Sequence, residues 1–578
     1  SGVTTSITPT IGSNGDDSTV TYDIHAVTSD LAEGTTITIK YTATVQQTYN
    51  SSDPVFASDA LNSSSLVTYS LTDGATSCTD DSYAGGVIIP ITTSKVIVNS
   101  ESEYVPGDSV TFRLSMDIPS GDTQNIVFDD FFPLPVFDVT SISTSFGTDI
   151  KLSNDDTAGL TPTAITHNSS TNSLNITWPD LDTTEAKVIS VDITATISTD
   201  PFSDGLSLTN LFQGSTENTA GEAALEINSV PLVVRAPSLA ITLIDNAATT
   251  VDAGDVITYT LTIENTGGAN AHDITVNAPA ITGLDGAVLT SVTVDGATPT
   301  AHTGSLADGN LKLDDTVPAG STVVITYTPD VSSDVTPRQT INSTAEAAWA
   351  SANGAPAFPA ESSEKTLTVA SASISTSINN VSPNGSGSSS NFVVGDTVTY
   401  LVEVTLPEGE TSGLSITTEL PGGVEFDASS PAVSTTGFVG TVDTNATVTP
   451  TGWFTSGQDV VFNFDSPSTT VVTNDNDINN NTFSFTFDAI VRDVSANAAL
   501  NAPQTKTLDT DLTYNSFSGA TVNTSIAGAF VEHELEVTTS LSPSASLQAG
   551  DTVTTTITVK NVGTATAYDI NINSALNA

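Results

Sequence analysis

A short phrase, a Gly-Asp pair followed by an alternating strand, recurs along the chain and constrains its fold more than any other feature. Its copies are Pro106-Gly-Asp-Ser-Val-Thr-Phe112, Ala253-Gly-Asp-Val-Ile-Thr-Tyr259, Val394-Gly-Asp-Thr-Val-Thr-Tyr400 and Ala549-Gly-Asp-Thr-Val-Thr-Thr555. The Gly-Asp pair is typical of a tight turn in which the Asp side chain bonds to its own backbone. The alternating residues after it predict a half-buried strand. Repetition of the phrase predicts a series of similar β domains.

A second phrase marks the back half of each predicted domain. Pro318-Ala-Gly-Ser-Thr-Val-Val-Ile-Thr-Tyr327 follows the 253–259 phrase by about 66 residues. Near the N-terminus, Ala32-Glu-Gly-Thr-Thr-Ile-Thr-Ile-Lys-Tyr41 has no first phrase before it, and the 549–555 phrase has no second phrase after it. In a further copy joined after residue 578, the two phrases would be about 62 residues apart, close to the spacing in the intact copy, which predicts that the two ends are complementary halves of one domain.

These spacings predict an all-β protein of tandem immunoglobulin-like antiparallel β-sandwiches, arranged end to end as a rod. Whole sandwiches are predicted at 93–235, 236–370 and 371–536, the last with insertions that include 386–390 and 474–481. Residues 1–92 are predicted to be the C-terminal half of a sandwich, and residues 537–578 the N-terminal half. The two halves would complete each other between copies, either within one longer chain or between neighbouring subunits. Short extended linkers between the predicted domains favour the rod.

Composition limits the partners. The formal net charge is -54, from 66 acidic and 12 basic side chains, so the surface repels phosphate backbones and nucleic acid is excluded as a partner. Apolar runs are too short to predict a membrane span. The single cysteine, Cys78, cannot form a disulfide within the chain.

The best copies of the phrase resemble a known repeat. Gly254 to Gly267 followed by Ala271-His-Asp-Ile-Thr-Val276, and Gly550 to Gly563 followed by Ala567-Tyr-Asp-Ile-Asn-Ile572, are similar to the conserved repeat, an immunoglobulin-like domain of unknown function, of bacterial and archaeal surface proteins. A late Asn after an apolar residue also resembles that repeat, as in Leu208-Thr-Asn210. The resemblance implies secreted, cell-surface sandwiches whose main role is to lengthen the surface protein that contains them. It implies no catalytic residue.

Little in the sequence points to chemistry. The histidines, at positions 25, 167, 272, 302 and 533, are far apart and stand in no catalytic or zinc-binding motif, so we expect no enzyme activity and no certain cofactor. Calcium is the one ligand to consider, because Asp475, Asp477 and Asn479 place oxygen ligands at alternate positions of a loop. A solvated acidic turn is the alternative interpretation.

Two further residue types have alternative interpretations. Trp178, Trp349 and Trp453 are predicted to be core aromatics, with a carbohydrate-stacking role as the alternative. Lys40 or Lys95 could form an isopeptide bond to an asparagine within its domain, but no motif selects a pair.

The sequence therefore predicts a structural component of an extracellular fibre or cell-surface layer, with head-to-tail contact between copies and an extracellular or cell-surface location. One alternative is the stalk of a cell-surface adhesin whose binding domain lies elsewhere. A second alternative is a sugar- or ion-binding module in residues 371–536, because loops that deviate from a repeat often carry binding.

Overall fold

The computed structural model describes residues 7–575 except 15–16, 27–30, 71–76, 88, 140–141, 143–150, 153–159, 184, 280, 299–300, 307, 309, 383–390, 465–470, 474, 498–501 and 515–521. Its regular structure is β-strand, with 3₁₀ helices at Ile24–Ala26, Ile478–Asn480 and Ser495–Asn497 among these residues. Nearly all strand pairs are antiparallel, and three pairs of packed sheets enclose cores. The predicted all-β class of immunoglobulin-like sandwiches is confirmed.

The N-terminal region contains two isolated hairpins. Strand β1 (Thr10–Asn14) pairs with β2 (Asp17–Thr21), and β3 (Ala60–Ser70) pairs with β4 (Ser77–Val87). The loop between the hairpins docks on the next domain, where Asp59 accepts a hydrogen bond from the Thr219 N–H at 2.8 Å.

The first sandwich comprises strands β5 to β14. One sheet has the order β5-β6-β12-β8, and the other has the order β14-β13-β7-β10-β9, with β11 also paired to β7. The strands are β5 (Thr92–Ile97), β6 (Ser109–Ile118), β7 (Gly121–Phe131), β8 (Lys151–Leu152), β9 (Ala164–Asn168), β10 (Ser173–Thr177), β11 (Leu181–Thr183), β12 (Lys187–Thr196), β13 (Leu206–Glu217) and β14 (Ala223–Val234).

The second sandwich comprises strands β15 to β23. Its sheets have the orders β15-β16-β21-β18 and β19-β20-β17-β22-β23. The strands are β15 (Leu239–Asp245), β16 (Tyr259–Asn265), β17 (His272–Asn277), β18 (Leu284–Val294), β19 (His302–Thr303), β20 (Leu311–Leu313), β21 (Thr322–Val331), β22 (Thr340–Ala350) and β23 (Glu361–Thr368).

The third sandwich comprises strands β24 to β36. Its main sheets have the orders β24-β26-β34-β29, with β30 also on β34, and β25-β36-β35-β28-β32-β31; β27 pairs with β33, and β25 runs parallel to β36. The strands are β24 (Ser373–Ser382), β25 (Asn391–Val393), β26 (Thr397–Thr405), β27 (Gly409–Thr411), β28 (Ser415–Pro421), β29 (Val424–Phe426), β30 (Ala432–Ser434), β31 (Thr447–Trp453), β32 (Gly457–Asn463), β33 (Val471–Thr473), β34 (Thr482–Val491), β35 (Gln504–Thr513) and β36 (Val522–Val531).

A final hairpin follows the third sandwich. Strand β37 (Leu535–Ser542) pairs with β38 (Thr554–Asn561), so β37 crosses the predicted boundary between 536 and 537.

The alternation read from the sequence becomes the core of each sandwich. In β6, Val110, Phe112, Leu114 and Met116 are buried while the residues between them are not, because successive side chains of a strand point to opposite faces. Each sandwich has its own cluster of buried apolar residues of this kind.

The repeated Gly-Asp pair forms the predicted turn in every copy. Its glycines have positive φ, which favours glycine, as at Gly254 with φ 85°. The aspartate then accepts a hydrogen bond from the backbone N–H three residues earlier, over 2.9 Å at Asp108, 2.8 Å at Asp255, 2.9 Å at Asp396 and 2.6 Å at Asp551. The turn is local in origin, so it forms even in the C-terminal hairpin.

Candidate functional site

The predicted calcium ligands lie in a loop whose oxygens already accept hydrogen bonds from the loop itself. Asp477 Oδ1 accepts from the N–H of Asn479 at 3.1 Å and from its Nδ2 at 2.7 Å. Asp475 accepts from the Asp477 N–H at 3.2 Å and from Asn480 Nδ2 at 2.7 Å. These are the contacts of a capped turn, in which Asp477 precedes the 3₁₀ helix Ile478–Asn480.

Across the described part of the chain, no group of three or more His, Cys, Asp or Glu side chains is arranged to hold a metal ion. In the same residues, no helix combines the length and the apolarity needed to cross a bilayer. The insertion at 386–390 and residue 474 lie outside the described residues.

The loop that contains Asp475 and Asp477 lies against the second sandwich. A Cβ added to Gly254, in the Gly-Asp turn of the second sandwich, would lie 3.5 Å from the Asn476 side chain. The third sandwich therefore uses one insertion to contact its neighbour, a role that the sequence did not indicate.

Two carboxylates meet at this same junction. Glu408, in the third sandwich, is buried; its Oε1 accepts from Asn481 Nδ2 at 2.9 Å, and its Oε2 has no hydrogen-bond partner. The pKa of Asp252 is raised to about 6, mainly because the carboxyl group is partly buried and also because the negative charges of Asp255 and Glu408 are near it. The junction thus holds a carboxyl group that titrates between acidic and neutral pH.

Main-chain hydrogen bonds also cross this junction. The N–H of Glu410 donates to the carbonyl of Val335 at 2.8 Å, and the N–H of Ala253 donates to the carbonyl of Glu408 at 3.4 Å. Gly409 makes the approach possible, because a Cβ there would be 2.3 Å from the Val335 oxygen.

The junction between the first and second sandwiches is built around Asp204. Its Oδ1 accepts from the N–H of Ala236 at 2.9 Å and from the N–H of Gly268 at 3.2 Å, and its Oδ2 lies 3.4 Å from Arg235 Nη1. Arg235 also pairs with Glu103 at 2.6 Å. One carboxylate therefore binds both the linker and the turn between β16 and β17 of the second sandwich.

Aromatic packing completes this junction. The Trp349 and Phe358 rings stack with centroids 5.5 Å apart and planes 10° apart. Phe358 packs against the cores of both sandwiches, and the Trp349 indole N–H donates to the Pro237 carbonyl at 3.3 Å. Trp178 and Trp349 are buried, as predicted, whereas Trp453 is 76% exposed. The prediction of a core position was wrong for Trp453, because it ends strand β31 at the edge of its sheet.

A buried polar cluster lies in the core of the first sandwich. Lys95, on β5, extends across the space between the sheets and hydrogen-bonds to Asp130 on β7; both side chains are fully buried. Asn210, on β13, is also fully buried and is near enough to Asp130 to favour its charged form. Neither Asn210 amide atom has hydrogen-bond geometry with a protein atom, and the same is true of Asp130 Oδ2.

Sequence reasoning had identified Asn210 and Lys95 separately. The repeat resemblance singled out the Asn, and Lys95, like Lys40, was considered as a lysine that could form an isopeptide bond to an asparagine. Asp130 was missed as their partner, since nothing in its local sequence distinguishes it from a turn or surface aspartate.

Residues 245–370 match the model of a domain of unknown function, DUF7927. The match falls on the second sandwich, where the repeat signature is most complete, and it confirms the predicted resemblance to a domain of unknown function. No curated protein matches the chain.

Several solved structures are similar to the chain. The C-terminal domain of the AgI/II polypeptide BspA of Streptococcus agalactiae is 11% identical, with a TM-score of 0.22, over 50% of this chain and 99% of that one. A putative membrane anchored protein of Corynebacterium diphtheriae is 12% identical, with a TM-score of 0.19, over 82% and 97%. The 35 kDa C-terminal fragment of the major pilin GBS80 of Streptococcus agalactiae is 16% identical, with a TM-score of 0.22, over 48% and 91%.

Proposed function

We propose that the chain is a non-enzymatic structural segment of an extracellular fibre or cell-surface layer, in which consecutive copies are continuous head to tail. Residues 537–578 of one copy would complete residues 1–92 of the next and so form a fourth sandwich. The observation that carries this proposal is the exposure, at both ends, of residues whose counterparts in the second sandwich are buried.

The C-terminal half can be compared with the second sandwich position by position from the Gly-Asp turn. Ile570 and Ile572 correspond to Ile274 and Val276. The first two are 50% and 52% exposed, whereas the latter two are fully buried in β17. A strand with an exposed alternating apolar face lacks the sheet that should cover it.

The N-terminal half has the matching deficiency. From the second phrase, Ile37 and Ile39 correspond to Val323 and Ile325 of β21. The isoleucines are 41% and 42% exposed, and their counterparts are fully buried. The two halves therefore expose the two faces that pack together inside the second sandwich.

One side chain defines the expected contact between the halves. In the second sandwich, Asn265 Nδ2 donates to the Ala269 carbonyl at 2.9 Å within the front half and to the Val317 carbonyl at 3.0 Å in the back half. Asn561 repeats the front-half contact, to the Ala565 carbonyl at 2.7 Å. The counterpart of Val317 is Leu31, so Asn561 of one copy is expected to donate to the Leu31 carbonyl of the next.

A circular permutant tests this pairing. It would begin at residue 537, run through 578 directly into residue 1, and end at residue 536. We expect slow hydrogen exchange at 37–41 and 570–572 in the permutant, fast exchange in the original order at low concentration, and loss of self-association in the permutant. Equal and fast exchange in both proteins would contradict the proposal. Ile39→Asp in the permutant is the control, because it should restore fast exchange only in the joined sandwich.

Imaging of native material, combined with a denaturing gel, distinguishes the two forms of continuity. Fibres whose protein runs far above 59.2 kDa would indicate one long tandem chain. Fibres that dissolve into chains of 59.2 kDa would indicate strand exchange between subunits. Monomers without fibres would contradict both.

The stalk of a cell-surface adhesin is the alternative use of the same architecture, with binding located outside this segment. A sugar-binding role for residues 371–536 is favoured by one observation, the exposed Trp453, because a solvent-facing indole can stack on a sugar ring. Quenching or enhancement of tryptophan fluorescence by a glycan panel, lost in Trp453→Ala, would support that role.

A further inference from the structure

Lys95, Asp130 and Asn210 are brought together from both sheets of the first sandwich. Lys95 lies on the first strand, β5, and the other two lie on the neighbouring strands β7 and β13 of the opposite sheet. Phe212 is directly opposite Asp130 in the β7–β13 pair, so Asn210, two residues earlier, is on the same inward face. An amine, a carboxyl group and a carboxamide thus converge in an apolar environment, with the Phe112 ring 5.0 Å from Lys95 Nζ.

We propose that Lys95 and Asn210 form an intramolecular isopeptide bond, and that Asp130 transfers the protons of the reaction. The neutral Nζ of Lys95 attacks Cγ of Asn210, while the protonated Asp130 donates to the amide oxygen. Asp130 then accepts a proton from Nζ, delivers it to the leaving nitrogen, and takes back the proton of the amide oxygen as the carbonyl re-forms. One C–N bond forms, one C–N bond breaks, and one ammonia molecule leaves. No oxidant, reductant or co-reactant is required, and Asp130 ends in its initial protonation state.

The surroundings favour the reactive protonation states. Burial lowers the pKa of Lys95 and raises the pKa of Asp130, in each case against the attraction of the partner. Both shifts favour an uncharged amine beside an uncharged carboxylic acid. An amine is nucleophilic only without its proton, so burial supplies what a solvent-exposed lysine lacks.

The unpartnered amide of Asn210 is the observation that a structural ion pair does not explain. A fully buried carboxamide normally satisfies its donors and its acceptor, because a buried polar group without a partner is destabilising. As the acyl group of an isopeptide bond, Asn210 no longer carries the free amide nitrogen that lacks a partner here.

The neighbouring sandwiches use apolar or neutral residues at the same place. At the same distance after the Gly-Asp turn, the first, second and third sandwiches have Leu114, Leu261 and Val402, respectively. The residues that pair with them on the first strand of each sandwich are Lys95, Leu243 and Thr376. The fold therefore does not require a lysine at this position. Of the three equivalent positions, only the one in the first sandwich holds a lysine with a carboxyl partner, and this difference points to a function beyond packing.

A second Lys–Asn contact in the chain provides an internal comparison. Lys506 Nζ lies 2.9 Å from Asn497 Oδ1. However, Asn497 Nδ2 donates to the carbonyls of Gly423 at 2.8 Å and Arg492 at 2.7 Å, so both amide atoms are engaged as in an ordinary carboxamide. We expect this pair to remain unlinked.

Mass spectrometry of the full chain under denaturing conditions tests the proposal. The wild-type protein is expected to be lighter than its sequence by one ammonia molecule. Trypsin is expected not to cut after Lys95, so that residues 41–113 are recovered joined to residues 188–235, whereas cleavage after Lys506 proceeds normally. Separate peptides 41–95, 96–113 and 188–235 would overturn the proposal. Peptide mapping also excludes a succinimide at a pair such as Asn353-Gly354, which releases ammonia as well but forms no branch.

Two variants test the roles. Lys95→Arg keeps a cation opposite Asp130 but has no nucleophilic amine, and we expect the unreduced mass in folded protein. Asp130→Asn keeps the shape and removes the proton carrier, and we again expect the unreduced mass, with the far-ultraviolet circular dichroism of wild type as the measure of folding. A branched peptide at wild-type yield in Asp130→Asn would overturn the role of Asp130.

Discussion

The backbone N–H of Glu410 donates to the carbonyl of Val335 at 2.8 Å, so the second and third sandwiches share a main-chain hydrogen bond. The intervening position must be glycine for two reasons: Gly409 has φ 125°, and a Cβ there would be 2.3 Å from the Val335 oxygen. The junction is thus specified by backbone geometry as well as by side chains.

Gly409→Ala is expected to open this junction. Gly320→Ala is the control, because Gly320 has φ 77° but nothing within 4 Å of an added Cβ. The clash should cost about 1–3 kcal/mol more than the control substitution. Differential scanning calorimetry of the full chain should show a correspondingly lower transition temperature for Gly409→Ala, and equal temperatures for the two variants would contradict the steric argument.

Asp252 predicts an unusual pH dependence. Its pKa is raised to about 6 in the folded protein, above the ordinary value of about 3.9 for an unfolded chain, so the folded state binds the proton more tightly. Stability from this group is present at pH 4 and is lost as the pH rises through 6. We expect the transition temperature of the second sandwich to fall between pH 5 and 7, and to fall less in Asp252→Asn. The exposed Asp314→Asn should behave like wild type.

Phe358 is expected to couple the first two sandwiches. Phe358→Ala removes a ring that packs against both cores and stacks on Trp349, at a cost of about 1–3 kcal/mol for a partly buried aromatic. Tryptophan emission should shift to longer wavelength and the two sandwiches should unfold less cooperatively. Val288→Ala, at an exposed position of the second sandwich, is the control and should change neither property.

The calcium prediction can be tested at Asp477. Since this carboxylate accepts two hydrogen bonds from Asn479, we expect Asp477→Ala to destabilise the third sandwich by about 0.5–2 kcal/mol, as for loss of a cap. The loss should be the same with calcium or with a chelator. A transition temperature that rises with calcium in wild type but not in Asp477→Ala would instead establish an ion site.

The parts of the fold that depend on neighbours in sequence could be predicted. The Gly-Asp turn closes on a residue three positions earlier, and β6 alternates residue by residue, so both are encoded locally. The contacts between sandwiches could not be predicted, because Asp204 and Gly268, or Val335 and Glu410, meet only through the packing of separately folded units.

The buried cluster of Lys95, Asp130 and Asn210 could be predicted only in part. Lys95 and Asn210 each attracted notice in the sequence, but their strands belong to opposite sheets and meet only when the sandwich closes. The prediction that Trp453 lies in the core was wrong for a different reason. In β31 the residues that alternate with Trp453 on its side are threonines, and Val448, the residue that packs against the core, is out of phase with it, so the alternation did not support a core position.

The positions of Lys95 and Asn210 determine how the first sandwich would carry tension. In the proposed fibre, tension would enter this domain through β5 and leave through β14, which is paired with the strand that bears Asn210. A covalent tie between the two residues would confine the load to the chain outside 96–209. At ~3.3 Å per extended residue, those residues would otherwise lengthen the fibre by roughly 380 Å on unfolding. The isopeptide bond would therefore prevent residues 96–209 from extending under tension, while the neighbouring sandwiches could still unfold and so absorb the load.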